Sequence, residues 1–453
     1  MLQHLLTKYD LRLPRYTSYP TAPHFSPAVD ADTYGRWLSE LPAELPADGA
    51  LSLYLHIAYC AEMCWFCGCH TKITRRYAPV AAYLDSLLAE VDLVAGRLPG
   101  RLAARHVHFG GGSPTILSPD DFSRTIERLR ARFAIASDAE IAVELDPRTA
   151  DEAYVAAMAR AGVTRASVGV QDFDETVQHA INRIQPYAVT ERVIAWLRGH
   201  GIAEVNMDLV YGLPHQTTAS VMEMVDRAVG LRPRRLSLFG YAHVPWMKKH
   251  QRLIPEDALP GMAERWSQYE AATRRLGAHG YVAVGLDHFA APDDELAVAQ
   301  AEKRLHRNFQ GYTTDTAAVL LGFGASGIGS LPQGYVVNEG DIGAYRRLIA
   351  AGTLATRRGI AIGAADRLRR DIIERLMCDM AVDLDEVAAR HGVAPGSFAA
   401  ELAALADLDG DGVVRRDGPR ITMTDEGRPL VRAVCAVFDQ YLKRGEARHS
   451  KAV

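Results

Sequence analysis

Short runs in which apolar residues fill alternate or nearly all positions recur along the first two thirds of the chain. They are LSLYLHI from Leu51, HVHFG from His106, EIAVEL from Glu140, RASVGV from Arg165, EVNMDLV from Glu204, RLSLFGY from Arg235 and YVAVGL from Tyr281. Helical patterns separate them, and strands that alternate with helices predict parallel pairing through right-handed crossovers. Nearly every run ends in chemistry. A cysteine loop follows the first, the string Gly110-Gly111-Gly112-Ser113-Pro114-Thr115 the second, Glu144 and Asp146 the third, and Gln171-Asp172 the fourth, while Asp208 and Tyr211-Gly212 mark the fifth. Loops after the strands of a parallel barrel gather on one rim, so these residues are expected to converge on one site. The strand count favours an α/β fold with an incomplete barrel over a closed eight-stranded one.

From about Leu331 the pattern changes. Asp366 to Met380, Asp383 to His391 and Pro429 to Lys443 read as helices and GVVRRDGPRITMT as a hairpin, which together predict a mainly helical, winged-helix-like domain. The expected organisation is an arm over 1–40 covering the site, a barrel over 41–330 and the helical domain over 331–453. A winged shape invites a DNA-binding reading, but Glu401, Asp407, Asp409, Asp411 and Glu426 are interspersed with its arginines. The run from Asp407 to Gly412 imitates a calcium loop, yet Gly418 stands where the bidentate glutamate belongs, so an acidic turn is expected. The formal net charge of -4 supplies no general basic field, so neither nucleic acid nor a membrane surface is an expected partner. No stretch has the length and apolarity of a membrane span, and the N-terminus lacks the basic-then-apolar order of a secretory signal. A cytoplasmic, reducing location is expected, which suits thiolate chemistry.

Cys60, Cys64 and Cys67 stand as Cys-x-x-x-Cys-x-x-Cys in HIAYCAEMCWFCGC. Three thiolates on one short loop match a 4Fe-4S cluster with one iron left to hold a small molecule. Structural zinc asks for four ligands, commonly as two separated pairs, and no second Cys/His pair follows; Cys69 and His70 crowd the same loop instead. Cys378 and Cys435 lie in helical-looking stretches and read as core thiols. Cys69 either lines the pocket, packs beside the cluster or enters a shifted ligand set.

The cysteine loop, with Phe66 before its last cysteine and a glycine-rich strand end after it, is similar to the radical S-adenosylmethionine superfamily. More narrowly, PRYTSYPT (Pro14 to Thr21), CGC (Cys67 to Cys69), VELDP (Val143 to Pro147), GVQDF (Gly169 to Phe173), NMDLVYGLP (Asn206 to Pro214), YAHVP (Tyr241 to Pro245), DHFA (Asp287 to Ala290) and HRNFQGYTT (His306 to Thr314) together resemble the oxygen-independent coproporphyrinogen III oxidases. The match runs almost end to end. It implies a radical SAM partial barrel that converts two propionates of coproporphyrinogen III to vinyl groups, giving protoporphyrinogen IX in haem biosynthesis. Such a protein would be a monomer supplied with electrons by a donor such as a flavodoxin or ferredoxin. A haem-binding chaperone of the same superfamily is an alternative, but would not be expected to carry the CGC, HRNFQGYTT and PRYTSYPT strings. Another tetrapyrrole-acting radical enzyme is a further one.

By the same resemblance, Tyr54, Phe66, Gly111, Glu144 and Ile328 would contact a first S-adenosylmethionine, and Gly112, Ser113, Gln171, Arg183, Asp208 and Ala242 a second. Gly111 permits close backbone approach and Glu144 can accept hydrogen bonds from polar groups. His306, Arg307, Asn308, Phe309 and Gln310 form a dense polar set that either reaches a tetrapyrrole or packs the C-terminal domain onto the barrel. Tyr54 and His56 share one face of the first strand, and His56 is either catalytic or a satisfied core histidine. Glu144, His56, Cys69 and Gln310 are the candidates for direct catalytic work. Arg15, Tyr16 and Tyr19 either cover the site or staple the arm. The chain departs from the family in Ala58-Tyr59, where a proline and an aromatic are usual, and in Ser113, where threonine is common.

Overall fold

The computed structural model describes residues 5, 8–9, 13–42 and 50–442; the rest of the arm lies outside the described residues, and the helix expected to reach Lys443 ends at Phe438, where Asp439 turns to an extended backbone. Six parallel strands lie side by side in chain order: β1 (Leu51–Ile57), β2 (Ala103–Gly111), β3 (Ala134–Leu145), β4 (Arg165–Gln171), β5 (Glu204–Tyr211) and β6 (Arg235–Gly240). Leu320–Phe323 adds a further parallel strand beside β1. The sheet then continues antiparallel through Ile328–Leu331, Gly334–Asn338 and Thr356–Ala361, and at its other end through His288–Ala290 and Val282–Val284. The result is the expected partial barrel, a twelve-stranded sheet whose two edge strands do not pair.

Three expectations are corrected. YVAVGL forms only the three-residue edge strand Val282–Val284, because the chain turns back after it and the return strand His288–Ala290 takes the place beside β6. The boundary placed at 331 falls inside the sheet, since Gly334–Asn338 pairs directly with Ile328–Leu331; the mainly helical part begins with the helix Ala364–Asp379. The acidic run from Asp407 is also more ordered than a turn. Ala406–Gly410 is helical, Asp409 pairs with Arg416, and Asp411 accepts from Lys8 and Tyr9.

The period of two along each parallel strand decides what fills the barrel. Leu53 and Leu55, Val107 and Phe109, Ile141 and Val143, Ala166 and Val168, Val205 and Met207, and Leu236 and Leu238 are buried in the main apolar cluster with the crossover helices. The intervening positions point the other way. Ser52, His106, His108, Glu140, Glu144, Arg165, Ser167, Asn206, Asp208, Arg235 and Ser237 line a cavity of about 220 Å³. A parallel barrel is ordinarily plugged by branched apolar side chains; this one has a polar lumen. Asn308, Gln310, Thr313 and Asp315 complete its wall.

The antiparallel extension is fixed to the barrel through Glu90, on the helix Tyr77–Ala95. The Gly324 amide, Asn338 Nδ2 and Tyr345 Oη donate to its buried carboxylate at 2.7, 2.6 and 2.7 Å. In the C-terminal part, three helices (Ala364–Asp379, Leu384–Arg390, Val431–Phe438) pack with a three-stranded sheet of Ala381–Asp383, Arg420–Met423 and Val414–Asp417. Tyr16 and Tyr19 of the arm enter this second core. Tyr16 Oη donates to Asp439 and Tyr19 Oη accepts from the Gln440 amide, both at 3.1 Å, so these two tyrosines staple the arm.

Candidate active site

The cysteine loop leaves β1 at the C-terminal rim. Its shape comes from backbone contacts with the glycine turn after β2: the Gly112 amide donates to the Ile57 carbonyl at 2.8 Å and the Ser113 amide to the Tyr59 carbonyl at 2.9 Å. A Cβ on Gly112 would lie 2.7 Å from the Ile57 oxygen, so only glycine fits there. From the far side of the rim, His250 Nε2 meets the Cys67 carbonyl at 2.7 Å, Gln251 Nε2 donates to the Phe66 carbonyl at 2.9 Å, and Lys248 Nζ to the Cys69 carbonyl at 3.0 Å. No sequence signal marked this clamp, because its residues lie on the loop after β6.

Each of the three thiols has its own donor. The Thr71 hydroxyl lies 3.3 Å from the Cys60 sulfur, the Cys69 amide 3.3 Å from that of Cys67, and Arg148 Nη2 3.3 Å from that of Cys64. Arg183 Nη1 approaches Cys64 at 3.5 Å. Hydrogen bonds from Cys69, reinforced by His250 and Lys248, bring Cys67 down to about 6, whereas burial pushes Cys60 up to about 12. Among the described residues no three His, Cys, Asp or Glu side chains lie close enough to hold a single metal ion. The Cys60 thiol lies within electrostatic reach of Cys64 and Cys67, and each of the three has a donor, a set that fits a 4Fe-4S cluster. Arg148 and Arg183 are in turn held by Asp146; burial opposes its charge, but the two guanidinium groups outweigh that and keep it at about 2.

Beside the loop, Tyr54 Oη meets His56 Nδ1 at 3.1 Å, and His56 Nε2 meets the His70 carbonyl at 2.8 Å. With that carbonyl as acceptor, Nε2 carries the hydrogen and Nδ1 accepts from Tyr54. Burial lowers the His56 pKa, which keeps the ring neutral. Both ring nitrogens are engaged, so His56 orients Tyr54 and secures the loop. Glu144 accepts from His108 Nε2 at 3.1 Å and from the Gly111 amide at 3.2 Å. Burial pushes its pKa up, but these donors more than offset it and the carboxylate stays ionised. The Cys69 thiol lies within electrostatic reach of Glu144, and Tyr54 of both. Ile328 is brought close through Gly322, the register partner of Tyr54, whose missing side chain admits the Ile328 backbone. Phe66 instead packs in an apolar cluster with Val177 and Tyr241.

Of the residues matched to a second molecule, Gly112 and Ser113 follow β2, and Gln171, Arg183, Asp208 and Ala242 lie on or after β4 to β6. Gln171 has φ of 72° at a break in the β4–β5 register. Asp208 faces the lumen, where Ser167 Oγ donates to it at 3.0 Å and Asn206 Nδ2 at 3.1 Å. Arg183 donates to the Gly169 carbonyl at 2.7 Å, and the Ala242 carbonyl accepts from Gln251 at 3.3 Å. The Ser113 hydroxyl lies 2.7 Å from that of Thr115.

The polar set after residue 305 divides. Asn308 and Gln310 line the lumen. His306 instead bonds Glu374 of the C-terminal helix at 3.0 Å, and Phe309 meets Tyr335 edge-on. These last two, with Arg307, line a second cavity of about 260 Å³ against Tyr16 to Tyr19 of the arm. No helix among the described residues is long and apolar enough to cross a membrane.

The model of the radical SAM superfamily matches residues 54–228, and that of the HemN C-terminal domain residues 363–430. An oxygen-independent coproporphyrinogen III oxidase of Bradyrhizobium diazoefficiens is 54% identical over 442 residues, covering 98% of this chain and 97% of its own. One of Paracoccus denitrificans is 43% identical over the same shares of the two chains. In structure the chain resembles the coproporphyrinogen III oxidase HemN of Escherichia coli, described as a radical SAM enzyme, with a TM-score of 0.90 and 37% identity over 97% of this chain and 98% of that one.

Proposed function

From the membership of this chain in the oxygen-independent coproporphyrinogen III oxidases, a family of radical SAM enzymes, we infer that it converts coproporphyrinogen III to protoporphyrinogen IX. Each of two propionates loses a β-hydrogen atom, one carbon dioxide and one further electron to become a vinyl group. The cofactors are a 4Fe-4S cluster and S-adenosylmethionine. The cluster, when bound, supplies the electron that splits S-adenosylmethionine into methionine and a 5′-deoxyadenosyl radical.

The observation that carries this reading is the position of the three thiols beside a walled polar lumen. Cys60, Cys64 and Cys67 hold the cluster, and Thr71, Arg148 and the Cys69 amide stabilise their charge. Ionised Glu144 accepts from the polar groups of S-adenosylmethionine, with Gly111 leaving room for its backbone approach. Tyr54, oriented by His56, closes the same side. His56 is a positioning residue. Gln171, Arg183, Asp208 and Ala242 bound the space for a second S-adenosylmethionine on the β4 to β6 side, and Asn308 and Gln310 reach the reacting propionate from the lumen wall. The polypeptide around the site keeps water from the radical. The protein works as a cytoplasmic monomer with a flavodoxin or ferredoxin as electron donor. The full-length relatives support this reading over that of a haem chaperone or a different tetrapyrrole radical enzyme.

An anaerobic assay tests it. Reconstituted protein with reductant, S-adenosylmethionine and coproporphyrinogen III should form 5′-deoxyadenosine and, after oxidation, protoporphyrin, both read by mass spectrometry. Cleavage without a change in the tetrapyrrole would overturn the substrate while leaving the cofactors standing.

A further inference from the structure

Four arginines from distant segments meet where β5 and β6 end: Arg15 of the arm, Arg265 of the helix Met262–Ala278, Arg307 of the strand His306–Asn308 and Arg432 of the helix Val431–Phe438. Arg265 lies across the two strand ends, so that a Cβ on Gly212 would be 3.1 Å from its Nε and one on Gly240 3.3 Å from its Nη2. Arg307 stacks on Tyr312 with Cζ 4.3 Å from the ring centre, and the Tyr312 hydroxyl accepts from the Leu286 amide next to Asp287. Arg15, Arg307 and Arg432 are within electrostatic reach of Asp287, and Arg15, Arg265 and Arg432 of Tyr211.

The charges do not balance. Asp287 is the carboxylate that Arg15, Arg307 and Arg432 share, and His288 already bonds it at 2.7 Å. Among the described residues Arg15, Arg265 and Arg307 make no side-chain hydrogen bond; Arg265 Nε and Arg307 Nε and Nη1 are buried without an acceptor. Burial and repulsion from Arg15 push Arg432 down to about 10. Arg432 donates to the Leu13 carbonyl at 3.3 Å, so the open buried donors are those of Arg265 and Arg307. Buried guanidinium donors without acceptors are unfavourable unless an anion completes the set, and carboxylate is the anion their forked geometry fits best.

We propose that Arg15, Arg265, Arg307 and Arg432 anchor the two carboxylates of the tetrapyrrole that survive the reaction. The proposal rests on the substrate reading above. The thiols follow β1 and Glu144 ends β3, whereas this cluster lies over β5 and β6 beneath the C-terminal domain, so a macrocycle held here by its retained propionates turns the other pair toward the thiols. Arg307 is thereby a substrate contact, while its neighbour His306 serves the domain packing.

Two soluble porphyrins test the assignment on the holoenzyme by fluorescence titration: coproporphyrin III, with four propionates, and mesoporphyrin IX, with only the two retained ones. Arg265→Gln and Arg307→Gln should weaken both probes by about tenfold or more, with partial recovery in Arg265→Lys. Loss of affinity for coproporphyrin III alone would mean that the cluster holds the reacting pair, and unchanged affinity for both would mean that it is a structural feature; either overturns the proposal. Arg15→Gln, on an exposed residue, carries the same test should a more buried variant fail to fold. Wild-type turnover of coproporphyrinogen III in the same preparation separates failure of this assignment from failure of the substrate reading.

Discussion

Arg148 donates its Nη2 hydrogen to the Cys64 sulfur at 3.3 Å, linking the loop after β3 to the cysteine loop. Arg183 brings a second guanidinium to the same sulfur at 3.5 Å. Positive charge and donated hydrogen bonds at a ligating thiolate favour the reduced cluster, because they offset the added electron. Arg148→Gln should therefore retain iron but make the midpoint potential more negative, as read by EPR-monitored potentiometry. An unchanged potential would mean that Asp146, 2.7 Å from the same nitrogen, already cancels the charge.

Glu144 has a neighbour that reports on its position. A Cβ on Gly110 would lie 2.6 Å from Glu144 Oε1, so Gly110→Ala must displace the carboxylate. Both Glu144→Gln and Gly110→Ala are expected to keep the cluster and weaken S-adenosylmethionine binding by about tenfold or more, the scale of one lost charged hydrogen bond. Equilibrium dialysis with iron analysis checks this. Wild-type affinity in Gly110→Ala would show that the position of Glu144 is not what sets binding.

The six parallel strands were legible because each carries an apolar outer face in period two, and the rim because the chemistry-bearing residues follow the strand ends. The polar lumen was written in the same strings, in the alternate Ser, His, Glu, Asn and Asp positions. The antiparallel extension was not. Gly322 to Ser330 hides parts of two strands behind glycines that are there because backbones pass closely, as Gly322 does against Ile328. The clamp of Lys248, His250 and Gln251 and the arginine cluster carry no local motif, since their members meet only after the barrel has curled. The 306–310 set divides in a way no local pattern announced: Gln310 faces the lumen and His306 the packing helix.

Gln310 therefore permits a separation of steps. It lines the lumen with Asn308 and has no part in the cysteine loop. Gln310→Ala should still cleave S-adenosylmethionine while forming fewer vinyl groups per 5′-deoxyadenosine. Mass-spectrometric counting of both products decides it, and an unchanged ratio would remove Gln310 from the substrate side of the site.

Glu90 makes stability depend on pH. Burial raises its pKa from 4.5 to about 7, against three donated hydrogen bonds that work the other way. A carboxyl whose folded pKa is raised binds its proton more tightly in the native state, so its contribution is fully present below about 4.5 and is lost as pH rises through about 7. At ~1.4 kcal/mol per unit, the difference amounts to about 3 kcal/mol across that window. Glu90→Gln cannot titrate, so the stability of wild type relative to this variant should fall between pH 5 and pH 8, whatever the fixed penalty of turning an amide toward Asn338 and Tyr345. Denaturant unfolding of both proteins at the two pH values measures that double difference. A constant difference would show that the three donors hold Glu90 ionised throughout, and that the junction between the barrel and its antiparallel extension rests on a permanent buried charge.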